Sequence, residues 1–479
     1  MLYSISCACL NQSLASLPEC IPPVVFKELA DVLAEPLSIV LTRSFEDGDV
    51  PEFFRTSIVT PVHKKGSKAE VENYRPIAQE SISCLIMEEI VADAITAHLT
   101  SHNLLDPHQH GFTKGRSTST QLFEVAYDWA LAKNHSNPLH CVYFDFSRAF
   151  DTVNHRILLA KMKSLGIGNR ILRWCQAYLH RRSFCVKVAE KISASAQAPS
   201  GVPQGSCLGP LLYNIFAQDL MLLLGDSGVT YKLYADDLKL YREICNPGDR
   251  DTLQKAITLV ENWAHRNCMT LSIPKCAVLK TVSDNTIYTL AGKPITEVKQ
   301  FKDLGITFDA TLKYRPHIAE VARSCARWCN MILRVFIIQD TRFYLKLYEA
   351  LVVSKLLYCA HVWAPHLKKD VDFLQRVQDR FLKRVAQRCN VPQQTIALPP
   401  ISEYHKLADI RMVQWLVKSN RIHNFFDISS NNLRSGYSVR PKEVALYDVV
   451  NGSLVWRAAR YFQDKSNLCK ILNLPFYFK

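Results

Sequence analysis

The sequence predicts an α+β chain with two parts of different character. Between residues 50 and 305, apolar runs of strand length alternate with helical spacing. From 317 to 390 the pattern is almost wholly helical, broken at Pro365. A third observation bounds both parts. With 48% hydrophobic and 21% charged residues over 479 positions, the composition is that of a globular chain, and it excludes a disordered tail, a fibre and a coiled-coil rod. The length suits about three ordinary domains or one multi-lobed enzyme with a sizeable core.

The elements follow in order. Residues 22–45 carry apolar side chains at helical spacing, among them Phe26, Leu29, Leu33, Leu37 and Leu41. Ser57 to Val62 reads as a strand running into the basic stretch His63 to Ser67. Residues 80–100 are helical, and the stretch Ile77 to Ser81 after Pro76 is read as leading into that helix. His140 to Phe146 is a strand with Cys141, Tyr143 and Asp145 on one face. Helices follow at 153–165, stopped by Gly166, and at 170–180. Then come a strand at 184–188, a helix at 207–224, two strands about a tight turn from Tyr231 to Tyr241, and a helix at 252–266. The last helix before 390 sets Val371, Leu374, Val377, Phe381, Leu382 and Val385 on one side. Arg376, Arg380, Lys383, Arg384 and Arg388 lie on the other. The division expected is an N-terminal helical extension (1–50), a mixed part (51–305), a helical part (306–390) and a C-terminal region without a legible fold (391–479).

Charge narrows the partners. Lys and Arg number 58 against 44 Asp and Glu, a formal net charge of +14, which points to a polyanion such as nucleic acid. No apolar run approaches the ~20 residues of a membrane span; Leu220 to Leu224 is typical. The apolar start, Met1 to Pro18, lacks the basic residues of a secretory signal. The 16 cysteines show no CxxC pair, Cys7–Cys9 and Cys325–Cys329 being the nearest spacings. They read as reduced thiols without zinc. An intracellular place, nucleus or cytoplasm, is expected.

Three carboxylates carry the chemistry. Asp145 lies near a strand end, and Asp236 and Asp237 sit at a turn between aromatic-rich strands. Gathered together, such charges repel unless cations lie between them. Hard oxygen ligands suit Mg²⁺, and two such ions bridging to phosphate set up displacement at phosphorus. Asp151 is read as the cap of the helix beginning near Val153 rather than as a fourth ligand. His110, His155, His180 and His405 are read as structural.

Tyr234-Ala235-Asp236-Asp237 resembles the YxDD box of reverse transcriptases, and Phe144 to His155 resembles their first carboxylate motif in its non-LTR (LINE-type) form. Ser200 to Ser206 with Leu208 to Leu212 resembles the family's Gly/Gln motif. Pro61 to Gly66, Asn73 to Ile77, and Gln109 to Phe112 with Arg116 to Thr118 resemble fingers motifs. Lys275 and Phe301 to Gly305 resemble the last palm motifs. The match is collinear over roughly residues 20–385. It implies a right-hand polymerase: fingers, a palm with an antiparallel sheet, a helical thumb and a C-terminal extension. The implied activity is RNA-directed DNA synthesis on an RNA template from a DNA primer, using dNTPs and two Mg²⁺ ions, with Mn²⁺ as a substitute.

The resemblance also implies roles. Asp145 and Asp236 become metal ligands with Asp237 beside them. Phe150 lies under the sugar of the incoming nucleotide, or alternatively in the core. Lys65 and Arg75 clamp the triphosphate, with Lys64 as the other possible register. Gln204 and Gly205 lie against the templating pair, and Lys275 faces pyrophosphate or is a plain surface lysine. Arg376, Arg380, Lys383, Arg384 and Arg388 hold an RNA–DNA hybrid through its phosphates. The sequence departs from the family's pattern in places. The match starts too early to leave room for the usual N-terminal endonuclease, no Cys/His knuckle follows, and Pro274 stands where another residue is common. The competing expectation is an inactive or domesticated RNA-binding relative; an intron maturase or a telomerase-like enzyme is a further one.

Overall fold

The computed structural model describes residues 21–430, 437–442 and 452–462. Met1 to Pro18, with Cys7 and Cys9, lies outside them. The chain forms two compact units that do not follow its linear order. One holds the residues up to 112 together with 144–238 and 255–275, and the other holds 113–143, 239–254 and 276 onward.

In the first unit the Thr56–His63 strand pairs antiparallel with Tyr74–Gln79, Val62 opposite Arg75, and parallel with Ser183–Val188. The segment after Pro76, expected to lead into a helix, is strand through Gln79. Pro76 disfavours helix in the residue before it, and the ladder to Thr56–His63 recruits Ile77 to Gln79. The helix starts only at Ile82, where the Ser81 hydroxyl accepts from Cys84 N–H. The helix expected from 153 starts at His155. Its cap is Asn154, which accepts from the N–H groups of Arg156 and Ile157 at 3.0 and 3.2 Å. Asp151 lies too early to reach those donors, and its Oδ1 instead accepts from Gln204 Nε2 at 2.8 Å.

Buried charges tie this unit together. Glu88 accepts from the N–H groups of Cys207 and Leu208 at 2.8 and 3.2 Å, at the start of the Gly209–Gly225 helix, and from the Tyr178 hydroxyl at 2.6 Å. It thereby satisfies donors that a helix end leaves open. Glu80 Oε1 accepts from Ser57 and Arg182 at 2.8 and 2.7 Å, while its Oε2 is buried without a partner. Burial pushes the Glu80 carboxyl up to about 7, against the pull of Arg182.

In the second unit Ala277–Lys280 pairs parallel with Thr296–Val298 and antiparallel with His140 to Tyr143. Lys239 is buried, donating to Gln121 Oε1 at 3.0 Å and paired with Asp303. Asp303 of the Phe301 to Gly305 motif is therefore the counter-charge of a buried lysine. Two long helices, Arg315–Val335 and Lys368–Cys389, pack side by side and run parallel. Arg315 lies 3.9 Å from Asp370 at one end, and Arg384 donates to Asn330 at 2.6 Å toward the other. Their apolar faces join Trp129, Tyr344, Tyr348 and Trp363 in one core. The region beyond 391 contains the helices Ile401–Lys418 and Leu454–Phe462. They bury Met412, Leu416 and Trp456 with Phe123 and Ala130 of the Thr118–Asn134 helix. The Asp409–Arg457 ion pair, 2.7 Å, is buried beside them. Among the described residues no helix is long and apolar enough to cross a membrane.

Candidate active site

Asp145 follows directly on the Leu139–Phe144 strand. Its carbonyl accepts from Ser272 N–H at 2.8 Å, and Ser147 N–H donates to Thr270 O at 2.8 Å. These bonds strap the 270–275 segment alongside and bring Lys275 Nζ to 3.3 Å from Asp145 Oδ2.

Asp236 stands on a turn that its own sequence does not favour. Ala235 has φ +57°, a left-handed conformation costing a residue with a Cβ about 1–2 kcal/mol. The 108–111 segment holds it there. Leu233 N–H donates to His108 O and His110 N–H to Leu233 O, at 3.0 and 2.9 Å. Gln109 Oε1 accepts from Ala235 N–H at 3.0 Å and from Gly111 N–H at 2.8 Å, while its Nε2 faces Ala235 O at 3.4 Å. A Cβ on Gly111 would sit 2.3 Å from Ala235 N, so only glycine permits this approach. Burial pushes the Asp236 carboxyl above its ordinary value, and the charge of Asp145 adds to the rise. Its own N–H, Lys64 and Arg75 pull it back. Asp237 is exposed. With Asp236 it also raises the Tyr213 hydroxyl, for which burial is the main cause.

The two cations that lower the Asp236 carboxyl are Lys64 and Arg75. Lys64 N–H donates to Asn73 O at 2.8 Å and so continues the ladder in which Val62 opposes Arg75. By strand alternation Lys64 and Arg75 share a face. Lys65 lies in the bend beyond.

Phe150 is half-buried and stacked on buried Tyr213, with ring centroids 4.6 Å apart at 21°; Phe112 meets its edge at 6.3 Å. Gln204 O accepts from Ala78 N–H at 2.7 Å, and a Cβ on Gly205, at φ +130°, would meet Ala78 O at 2.3 Å. The Gly/Gln segment is thus fastened to the Tyr74–Gln79 strand while the Gln204 side chain bonds Asp151. Of the histidines read as structural, His180 is exposed, and the other three lie at packed or bonded positions. His110 is buried, His155 Nε2 bonds Gly201 O at 2.7 Å, and His405 packs against Trp363.

Among the described residues no group of three or more His, Cys, Asp or Glu is arranged to hold a metal ion. Asp237 follows Asp236 in the chain, and Asp145 lies within electrostatic reach of Asp236. The pair fits a hard divalent cation. Both donors are carboxylate oxygens, their mutual repulsion raises Asp236, and a cation, the Lys275 ammonium, already faces Asp145.

The basic stripe belongs to the second unit. Arg376, Arg380, Lys383 and Arg384 are exposed on Lys368–Cys389. Arg388, expected with them, is instead half-buried. Its guanidinium donates to Leu333 O, Phe336 O (2.7 Å) and the Tyr344 hydroxyl (3.4 Å), joining the two parallel helices. The neighbouring helix contributes exposed Arg323, Arg327 and Arg334, which the sequence reading missed. Their four- and seven-residue spacing was the available signal. Tyr213 and Asn214 were missed as well; an Asn within the apolar run Leu211 to Phe216 was their only trace, whereas Gln109 stood in a motif without an assigned role.

The chain is similar in sequence to known proteins. The chain is similar to the probable RNA-directed DNA polymerase of transposon BS from Drosophila melanogaster, 29% identical over 352 residues, covering 70% of this chain and 38% of that protein. It is 25% identical over 375 residues to the RNA-directed DNA polymerase of mobile element jockey from the same organism, covering 75% and 40%. The chain therefore spans about 40% of the length of these relatives. A telomerase from Candida albicans, solved with a fragment of telomeric RNA, overlaps 82% of this chain and 68% of its own at 12% identity and a TM-score of 0.40. The family model for reverse transcriptase (RNA-dependent DNA polymerase) matches residues 62–308, more than half of the chain and all of the site from Lys64 to Lys275. The chain belongs to the reverse transcriptase (RNA-dependent DNA polymerase) family.

Proposed function

We propose that the chain performs RNA-directed DNA synthesis for a non-LTR retrotransposon, extending a DNA primer 3′-OH with dNTPs on an RNA template. The observation that carries this reading is the Asp145–Asp236 pair, set opposite Lys64 and Arg75 and bordered by Lys275 and the Phe150–Tyr213 stack. Reverse transcriptase domains depend on a divalent metal. Two Mg²⁺ ions, with Mn²⁺ as a substitute, would be held by Asp145 and Asp236. They would supply charge neutralisation at the reacting phosphate.

The chain's own residues do the rest. Lys64 and Arg75 take the triphosphate, so the register is that of Lys64 rather than Lys65. Their charge offsets what grows on the pyrophosphate as it leaves. Phe150, propped by Tyr213, offers a ring that clashes with a ribose 2′-OH. Asp151 orients Gln204 toward the templating pair. Lys275 exchanges Asp145 for the leaving pyrophosphate. Asp237 contributes negative charge without needing to bind metal. Arg376, Arg380, Lys383 and Arg384, with Arg323, Arg327 and Arg334, hold the hybrid through its phosphates. In this reading residues 51–305 form fingers and palm, 306–390 the thumb, and the work is done inside the cell, in nucleus or cytoplasm.

Primer extension on an RNA template with Mg²⁺ tests this. dNTP incorporation is expected, with NTPs refused until Phe150→Ala admits them. Absence of extension, or an Asp145→Asn variant of unchanged rate, overturns the reading. Hybrid binding without synthesis would point to an RNA-binding relative instead.

A further inference from the structure

The conformation of Ala235 needs an external cause. Alanine does not choose a left-handed turn, and Ala235 is the residue before Asp236. The groups that meet its peptide come from elsewhere in the chain. Gln109 is 3% exposed and brackets Ala235 with both ends of its side-chain amide, its Oε1 accepting from Ala235 N–H and its Nε2 facing Ala235 O. The same Oε1 also accepts from Gly111 N–H, which fixes the amide's orientation. Asn214, on the buried face of the Gly209–Gly225 helix, donates to Gly111 O at 3.0 Å and backs the loop from behind. A relay thus runs from Asn214 through Gly111 and Gln109 to the peptide that aims Asp236.

We propose that Gln109, backed by Asn214, is a positioning residue for polymerisation: it holds Ala235 in the left-handed turn and thereby sets the direction of the Asp236 carboxylate. This rests on Asp236 being a catalytic carboxylate, as read above. The role of Gln109 is exerted through the Ala235 peptide, to which its side-chain amide is bonded. Its removal misplaces a reacting group, an error that lowers turnover more than it weakens binding.

The test is a cycle on the full chain. Gln109→Leu removes the amide and keeps the bulk; Ala235→Gly removes the steric objection to the turn. Gln109→Leu alone is expected to lower kcat for primer extension about 10- to 100-fold, with the dNTP KM and the hybrid affinity held. It also weakens Mn²⁺ binding, followed by electron paramagnetic resonance. With Ala235→Gly in the same chain much of the kcat and Mn²⁺ loss is recovered, because glycine takes the turn unaided. Asn214→Leu, which removes only the outer support, gives a smaller loss of the same kind and serves if Gln109→Leu does not fold. The proposal is overturned if Gln109→Leu leaves kcat and Mn²⁺ binding intact. It is also overturned if kcat and hybrid affinity fall while KM rises, and Ala235→Gly restores none of them. Failure of the underlying reading has a different signature, an Asp236→Asn variant that extends primers normally. If the wild type extends nothing, Mn²⁺ affinity alone decides the clamp through the same cycle.

Discussion

Around Ala235 and Asp236 the chain is held away from its local preferences, whereas along Arg315–Val335 and Lys368–Cys389 it follows them. The turn puts an alanine at positive φ, seats a carboxylate where burial and Asp145 oppose its charge, and relies on a glutamine 126 residues away in sequence. The two helices bury an apolar stripe and, Arg388 apart, leave their arginines and lysines in water. Chemistry on phosphate needs charge concentrated at one point, and that concentration must be enforced from outside. Holding a polyanion needs only many weak contacts, which a regular amphipathic helix provides without strain.

That contrast can be broken at either end. The largest effect is expected at the turn. Asp236→Asn should lower primer extension about a thousand-fold while raising Tm by roughly 2 °C, since the charge it deletes is both buried and repelled by Asp145. Calorimetry showing a lower Tm would mean that the turn is not the strained region. On the helices, replacing Arg376, Arg380, Lys383 and Arg384 by Ala should weaken hybrid binding about 10- to 100-fold and reduce the salt slope by about three to four. Arg388→Ala should do neither. It should cost about 1–3 kcal/mol of stability, because Leu333 and Phe336 carbonyls lose their donor. A salt slope that falls with Arg388→Ala would return it to the binding face.

The smallest effect sharpens the electrostatic side. Glu80 titrates near 7 in the fold and in the ordinary carboxylate range when unfolded, so the folded chain binds the extra proton. Stability should be full below the unfolded value, decline as pH rises through about 7, and stay lower above it. Glu80→Gln keeps the Ser57 and Arg182 bonds and should flatten that decline. Denaturation midpoints of the two proteins that run parallel from acid to neutral pH would refute the assignment.

Much of the fold was legible because it is local. Alternation placed the strands carrying Asp145 and flanking Asp236, and period 3.6 placed the long helices and their basic faces. The failures have physical causes of their own. Ile77 to Gln79 became strand because a partner strand recruited them. Asp151 lost the cap to Asn154 by three residues and found Gln204. Lys64, for its part, shares a face with Arg75 because the ladder sets which residue points where. Arg388 sits on the polar side of its helix, yet a parallel neighbour supplies carbonyls that draw it inward. Each outcome depends on a partner distant in sequence, which no window of neighbouring residues contains.

What this sequence determined by itself was the inventory: an α+β chain, strand ends bearing aspartates, basic helices, and motifs in the order of a reverse transcriptase. Short-range sterics and periodicity are properties of neighbouring residues, so they survive in a string of letters. The tertiary structure alone decided that Asp145 and Asp236 feel each other, that Lys64 shares a face with Arg75, and that Gln109 bonds the Ala235 peptide. Those follow from long-range packing, where burial strengthens charge interactions and a single hydrogen bond fixes a conformation that the local chain disfavours.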